Sequence, residues 1–458
     1  MDALQKIPPL LLASGAIGAA VGCLLLLISR RSGLLLVALM LLVAGIGQYA
    51  NEITGQPVKY FIQPLPAFRA ELFAAAGGMF FAWIIGHWKL IKINEIPPQM
   101  IVLIIMGYYA ALIRTIHDGP LEGGFSIAFT SLTLLPLGLA LPALLDNERN
   151  WLDMLRLLAL TSGVYIFLVA IQFVINKDVM MRPPQNRFCG LSGNPQSVAI
   201  TFAVYSVVSL WLVLFDPKKR YRLLWAALLG VQLIFLAWTG SRTGAGMTAI
   251  GIMVAFYRRL GRFVLLAPVG LLAAYLVYDL FLAGAGVELV TYRLVSTDNT
   301  RTADWMVQWH QFMSNPVIGV GVTDTESENS YLYALSAFGI LMGLMVIFLA
   351  FLSAILCLKL FLKRSMLPVH LRPYADLVLS YNALYFAGGF FEGYMIARVG
   401  THIVFMAIFS AVMLRLLHYT QPAVSWAEQE HLEEGWQNYA EYGDYGADDS
   451  GRASPLPA

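Results

Sequence analysis

Charge is what this chain lacks. Asp, Glu, Lys and Arg make up 13% of its 458 residues, against 58% that are hydrophobic, where a soluble domain carries about 25% charged residues. Too little charge is present to cover a water-facing surface, and a soluble globular fold is excluded. Cysteine is almost missing as well. Cys23, Cys189 and Cys357 stand far apart with no CxxC or His–Cys spacing, which argues against a disulfide framework and against a metal site. No internal repeat is discernible. The N-terminus carries one lysine and an apolar run through Leu27, followed by Arg30-Arg31. It reads as a first membrane helix stopped by positive charge, not as a cleaved signal peptide. One local absence matters more than these. No carboxylate lies between Asp216 and Asp279, so Arg242, in "LAWTGSRTGAGM", has no countercharge nearby in sequence. A cation held toward a bilayer core without a partner costs roughly 2–3 kcal/mol or more. Either it snorkels to the headgroups, or a distant residue pairs with it, or it meets an anionic ligand.

What the chain does have is apolar length. Stretches of the size needed to cross hydrocarbon, about 17–25 residues, recur from end to end. Spans are expected near 9–29, 33–50, 69–87, 99–114, 124–145, 152–174, 195–215, 222–240, 243–257, 262–283, 329–358, 374–391 and 396–417. The expectation is an all-α polytopic integral membrane protein with about 12–14 transmembrane helices. Basic clusters fall in alternate connections: Arg30-Arg31, Lys89/Lys92, Lys218-Lys219-Arg220/Arg222, Arg258-Arg259/Arg262 and Lys359/Lys363/Arg364/Arg372. By the positive-inside rule these face the cytoplasm, which leaves the N-terminus outside and the C-terminus inside. Two long loops, 176–194 and 284–328, then face outward. A transmembrane domain over 1–420 gives way to a tail over 421–458. The tail holds Glu428, Glu430, Glu433, Glu434, Glu441, Asp444, Asp448 and Asp449 against the single base Arg452. Such a composition reads as an acidic, disordered cytoplasmic extension.

Topology explains the cytoplasmic bases but not the outward arginines. Arg114, Arg182, Arg187, Arg242, Arg293, Arg301 and Arg398 all fall in outward loops or at outward helix ends. Arginine stays charged and grips phosphate or carboxylate oxygens at two points. Snorkelling accounts for any one of them. Arg187, Arg242 and Arg301, each in a Gly/Ser/Asn/Pro-rich setting, point instead to one polyanion.

Four segments in order then carry a resemblance: "RFCGLSGNPQSVA" from Arg187, "TGSRTG" from Thr239, "RTADWMVQWHQFMSNPVIGVG" from Arg301 and "ESENSYLYALSAFGILMG" from Glu326. Together, over 187–343, they resemble the O-antigen ligase and polymerase family of bacterial envelope glycosyltransferases. The resemblance implies a GT-C type enzyme that takes a glycan from undecaprenyl diphosphate at the outer face of the inner membrane. Neither a metal nor another cofactor is expected. The diphosphate would be the anion met by Arg242, because charge on the leaving group must otherwise be neutralised by protein cations. Implied substrate contacts are Arg187, Arg301, Arg293, Asn329, Tyr331, Ser241 and Trp305, with Arg242 and Glu328 in catalytic roles.

Displacing a diphosphate from an anomeric carbon requires the acceptor hydroxyl to lose a proton, which a general base assists. Family ligases carry a histidine before the last segment's helix. Here the position is Glu328, and the second glycine is Gly343, with three residues between it and Gly339 where ligases have two. Both departures favour a polymerase. A carboxylate at a helix N-terminus is also simply stabilised by the helix dipole, and Glu326 is a second candidate. Trp305 and Trp309 suit either sugar stacking or an interfacial aromatic belt. Gly339 and Gly343 suggest close helix packing, and Asn194-Pro195 and Asn315-Pro316 suggest helix boundaries. Glu392 is a candidate countercharge for one of the arginines. His310 and His402 read as structural.

Three functions remain open at this point. The first is a surface-polysaccharide or O-antigen polymerase. The second is a ligase or protein O-oligosaccharyltransferase. The third is a transporter of lipid-linked oligosaccharide. The expected partners are the lipid-diphosphate-linked oligosaccharide, an acceptor glycan or glycolipid, a chain-length regulator and the bilayer itself. Nucleic acid is not expected. The clustering of polar motifs at one face, without a repeat, favours an enzyme over a transporter.

Overall fold

Hydrocarbon offers the backbone no hydrogen-bond partner, so a chain this apolar must satisfy its own amides within helices. The computed structural model describes residues 30–46, 69–182, 187–261, 301–322, 329–396 and 400–420. They are helical nearly throughout. In order they form α1 (Arg30–Gly45), α2 (Arg69–Gly86), α3 (Pro98–His117), α4 (Pro120–Leu144), α5 (Glu148–Ile175), α6 (Pro195–Phe215), α7 (Arg222–Trp238) and α8 (Arg242–Leu260). There follow α9 (Arg301–Ser314), α10 (Ser330–Phe338), α11 (Ile340–Lys363), α12 (Arg372–Gly389) and α13 (Thr401–Tyr419). Between α5 and α6 a two-residue hairpin pairs β1 (Met181–Arg182) with β2 (Arg187–Phe188), antiparallel.

Among the described residues, seven helical segments are long and apolar enough to cross a membrane. Side chains such as Ile101, Ile105, Leu112, Phe167, Leu223, Ile234, Ile347 and Phe351 point outward and are exposed. An apolar exterior over packed helices is what a bilayer, not water, accommodates. This fits an all-α polytopic membrane protein. The spans expected at 9–29 and 262–283, and the tail over 421–458, lie outside the described residues.

The polar side chains of α12 are enclosed. α12 carries Asp376, Ser380 and Asn382, all buried, and packs on α8, where Ser380 Oγ donates to the Gly251 carbonyl at 2.6 Å. Protein on all sides supplies the partners that lipid would deny them. Gly244 of α8 meets Ala199 of α6 so closely that an added Cβ would lie 2.6 Å from the alanine Cβ. α4 widens into a π turn over Thr130–Leu134, just before Pro136, which has no N–H to continue the regular ladder.

The single span expected over 329–358 is two helices. Gly339 adopts φ +82° between α10 and α11, and a Cβ there would sit 2.1 Å from the Val317 carbonyl oxygen. The 315–321 loop crosses at this corner. It takes up helix-end groups through Val320 N to Ser336 O at 2.8 Å and Ile340 N to Pro316 O at 2.8 Å. Gly343 faces Leu335 of the preceding helix. The GxxxG spacing therefore marks a corner, not a continuous helix–helix contact face. The outward stretch expected as a loop over 284–328 likewise contains a helix, α9.

Helix ends collect into two groups. At one, Glu95 meets Arg415, Glu148 meets His370, Arg156 meets Asp216, and Arg364 meets Asp376. These are the basic connections, and we call this the basic-loop end. At the other lie the hairpin, the α7–α8 turn, α9, the start of α10 and the α12–α13 connection. The described parts of all four motif segments come to this end.

Candidate functional site

The α7–α8 turn owes its shape to Gly240, whose φ is +60°, a region side chains rarely enter. Ser241 then caps α8: its Oγ accepts from Gly244 N at 3.2 Å. Gly244 is helical and serves the contact with α6, so the turn rests on one glycine and not two. Arg242, the first helical residue, is exposed. Thr243 beside it is buried, and its hydroxyl donates to Glu392 Oε1 at 3.2 Å.

Glu392 organises this end. It follows α12 and is 4% exposed, and its carboxylate receives Arg301 Nη2 at 2.7 Å. The same nitrogen lies 3.4 Å from Thr243 Oγ1. Glu392 thus reaches the turn through Thr243, 149 positions away, and the arginine that grips it is Arg301. Glu392 also anchors α10, because Ser330 Oγ donates to the Glu392 carbonyl at 2.6 Å and accepts from Tyr394 N at 3.0 Å. Asn329 caps α10 by accepting from Tyr331 N and Leu332 N at 2.9 and 3.1 Å, while its Nδ2 donates to Phe390 O at 2.8 Å. The Tyr331 ring packs on Phe390 with centroids 4.7 Å apart.

The first motif segment joins the same assembly. Arg187 Nε donates to Thr239 O at 2.8 Å, tying β2 to the α7–α8 turn. Asn194 caps α6 through Gln196 N at 2.8 Å, with Pro195 at the first helical position. The N-termini of α6, α8, α10 and α13 therefore open toward one end, each adding partial positive charge to that of the arginines.

The expected site residues thus divide. Arg187, Ser241, Arg242, Arg301, Asn329 and Tyr331 gather around Glu392 and its neighbours. Within that group Ser241 and Asn329 hold the backbone as caps, and Arg301 holds Glu392. Trp305, one turn along α9 from Arg301, has its indole N–H enclosed and without a hydrogen-bond partner among the described residues. Trp309 is exposed and packs on Phe312 instead. Glu326, Glu328, Arg293 and Arg398 lie outside the described residues. Arg114, counted among the outward arginines, pairs with Asp118 at 3.2 Å and with Glu122 at 2.8 Å, so local carboxylates account for it. Among the described residues no group of three or more His, Cys, Asp or Glu is placed to hold a metal ion.

Sequence reasoning named Thr243 as a hydroxyl donor of the turn but left Glu392 without an assigned partner and passed over Ser330 as a site-building residue. The signal available for Glu392 was an acid in an otherwise apolar outward helix end, "GGFFEGYMIARVG". A buried acid of that kind demands a cation. As for resemblance to known proteins, no protein-family model matches the chain, and no curated protein matches it.

Proposed function

We propose that this chain is a glycosyltransferase of the bacterial inner membrane, of the GT-C type. It transfers a glycan from undecaprenyl diphosphate to an acceptor hydroxyl at the outer face, as a polymerase of surface polysaccharide. The observation that carries the reading is convergence. Four segments spread over 187–343 meet in one cluster that contains an exposed arginine, Arg242, beside a second arginine, Arg301, held by Glu392. In the proposed reaction the acceptor oxygen forms a bond to the anomeric carbon, and the bond from that carbon to the diphosphate oxygen breaks. The electron pair leaves with the diphosphate, and the acceptor proton passes to a carboxylate, for which Glu328 is the candidate. Arg242 and the helix N-termini would meet the charge developing on the leaving group. Glu392 keeps Arg301 oriented and prevents the cluster from repelling itself.

The test is transfer by purified protein in detergent, with lipid-linked glycan and no membrane gradient. Arg242→Ala should abolish transfer. Arg242→Lys should be severely impaired as well, since charge remains but the planar fork is lost. Glu328→Gln should keep lipid diphosphate binding and lose turnover. Normal transfer by Arg242→Ala would remove the anion-site reading, and absence of any transfer by the unaltered protein would restore the transporter alternative. In cells, a deletion strain that retains a single capped repeat but no polymer identifies a polymerase over a ligase.

A further inference from the structure

Beside the arginine cluster lies a cavity of a different chemistry. It is partly open, about 90 Å³ in volume, and its walls include Gly45, Ser197, Thr201, Tyr394, Thr401 and His402. Among the described residues, no Asp, Glu, Lys or Arg lines it. A cavity of this size has room for several waters, and one edge of a sugar ring fits it. Tyr394 is the shared wall. Its ring lies 5.2 Å from that of His402, while its backbone N–H bonds to Ser330 Oγ, which in turn donates to Glu392 O.

The hydroxyls in this cavity have a definite polarity. Each threonine owns one O–H donor and two acceptor lone pairs. Thr201 donates to the Ser197 carbonyl at 2.8 Å, and its oxygen lies 2.7 Å from that of Thr401. Because the Thr201 proton is already committed, Thr401 must be the donor between them. Both oxygens are then left with lone pairs and no proton to offer. The Tyr394 hydroxyl is committed in the same way, to the Tyr385 carbonyl. A phosphate or carboxylate, which only accepts, finds no donor in this threonine pair. A neutral group rich in O–H or N–H donors does find partners, and the tilted Tyr394 and His402 rings offer an apolar face beside them.

We infer that this cavity seats the neutral, hydroxyl- or amide-bearing edge of the sugar next to the diphosphate. The arginine cluster and the cavity then divide the ligand between them, the anion on one side of Tyr394 and the carbohydrate on the other. The assignment rests on the glycosyltransferase reading. It also gives α1 a part in recognition, through Ala44 and Gly45, well outside the motif region.

The experiment measures binding in detergent of bare undecaprenyl diphosphate and of the same lipid carrying glucose, galactose or N-acetylglucosamine. The unaltered protein should bind at least one glycosylated lipid about tenfold or more tighter than the bare lipid. Thr201→Val/Thr401→Val keeps the shape and removes both hydroxyls together, so neither is stranded. It should bind the bare lipid as the unaltered protein does and lose the preference. Ser197→Leu, at the exposed mouth, should do the same by filling the space, and it provides the answer if the double variant melts early. No preference in the unaltered protein, or a preference kept by both variants, overturns the cavity assignment. If bare lipid binding persists in that case, the glycosyltransferase reading stands without it. If the unaltered protein binds no lipid diphosphate at all, both fall.

Discussion

At the basic-loop end, carboxylates are gripped through both oxygens by one arginine fork, whereas at the motif end one carboxylate oxygen takes an arginine and a threonine hydroxyl together. Arg156 closes on Asp216 through Nε at 2.9 Å and Nη2 at 2.6 Å, with Trp225 Nε1 and Lys218 N also donating to it at 2.9 and 2.8 Å. Arg364 holds Asp376 in the same fork, at 2.5 and 2.6 Å. Glu392 offers Oε1 to both Arg301 and Thr243, and the Arg301 side chain stays 20% exposed. Two-point pairs with extra donors leave no room for a ligand, and they lock helices. At the motif end Glu392 holds Arg301 and Thr243 in place beside Arg242, which lies at an exposed helix start. The same residue types are architecture at one end and, in the proposed function, a receptor for an anion at the other.

That contrast is broken most severely by Asp216→Ala. The change takes from Arg156 its two-point partner, leaving Asp153 at 3.5 Å, and strands the buried Trp225 indole N–H. Removing one member of a buried pair costs about 3–5 kcal/mol. The melting temperature in detergent should fall sharply, with Arg156→Ala close behind. A melting temperature near that of the unaltered protein would show that the basic-loop end is not held by this pair.

Acid should weaken the same end more gradually. Burial is the largest influence on Asp216 and would raise its pKa. The hydrogen bond from Arg156, with those from Lys218 N and Trp225, outweighs it and holds the carboxyl below its ordinary 3.8. Glu95 behaves alike: burial raises, but Lys92 and Arg415 together lower it from 4.5. A folded pKa below the unfolded one contributes stability that is complete above the unfolded value and disappears as pH falls through the folded value. The melting temperature should therefore hold from neutrality down to about pH 4–5 and drop below it. Asp216→Asn should flatten that drop. An equally steep fall in the asparagine variant would place the acid sensitivity elsewhere.

Glu392→Gln sharpens the comparison from the other end. The amide keeps a hydrogen-bond acceptor for Arg301 and Thr243 but loses the charge, so stability should fall by only about 1–2 kcal/mol. The proposed transfer should fall by on the order of 10²-fold, as expected when an arginine of the proposed substrate site is displaced. If stability and activity fall in proportion, Glu392 is architecture like Asp216.

The smallest effect on stability belongs to Arg242→Ala. An exposed first-turn residue should change stability by no more than about 0.5 kcal/mol, even as the proposed transfer is lost. A destabilisation approaching that of Asp216→Ala would place Arg242 among the structural arginines.

Much of the helical layout was legible because its causes are local. Pro195 after Asn194 announces the start of α6, and the run from Arg222 to Trp238 announces α7, through capping and continuous apolarity alone. The corner at Gly339 was not legible. Its sequence continues an apolar run on both sides, and the reason for the break is the Val317 carbonyl pressed against Gly339, a contact made by a distant loop. The arginine-rich segments could be selected as a group, since outward arginines contradict insertion bias. Which of them meets Glu392 could not, because 91 residues separate Arg301 from it.

The sequence alone determined the class of this protein. Scarce charge and repeated apolar length allow only a helical chain in a bilayer, and the alternation of basic loops sorts its connections into two sets. Both properties are sums over neighbouring residues and need no knowledge of packing. Tertiary structure decided the pairing of Glu392 with Arg301, the capping duties of Ser241 and Asn329, and the cavity that α1 shares with α6 and α13. Each depends on which helix faces which, and a one-dimensional pattern does not carry that information.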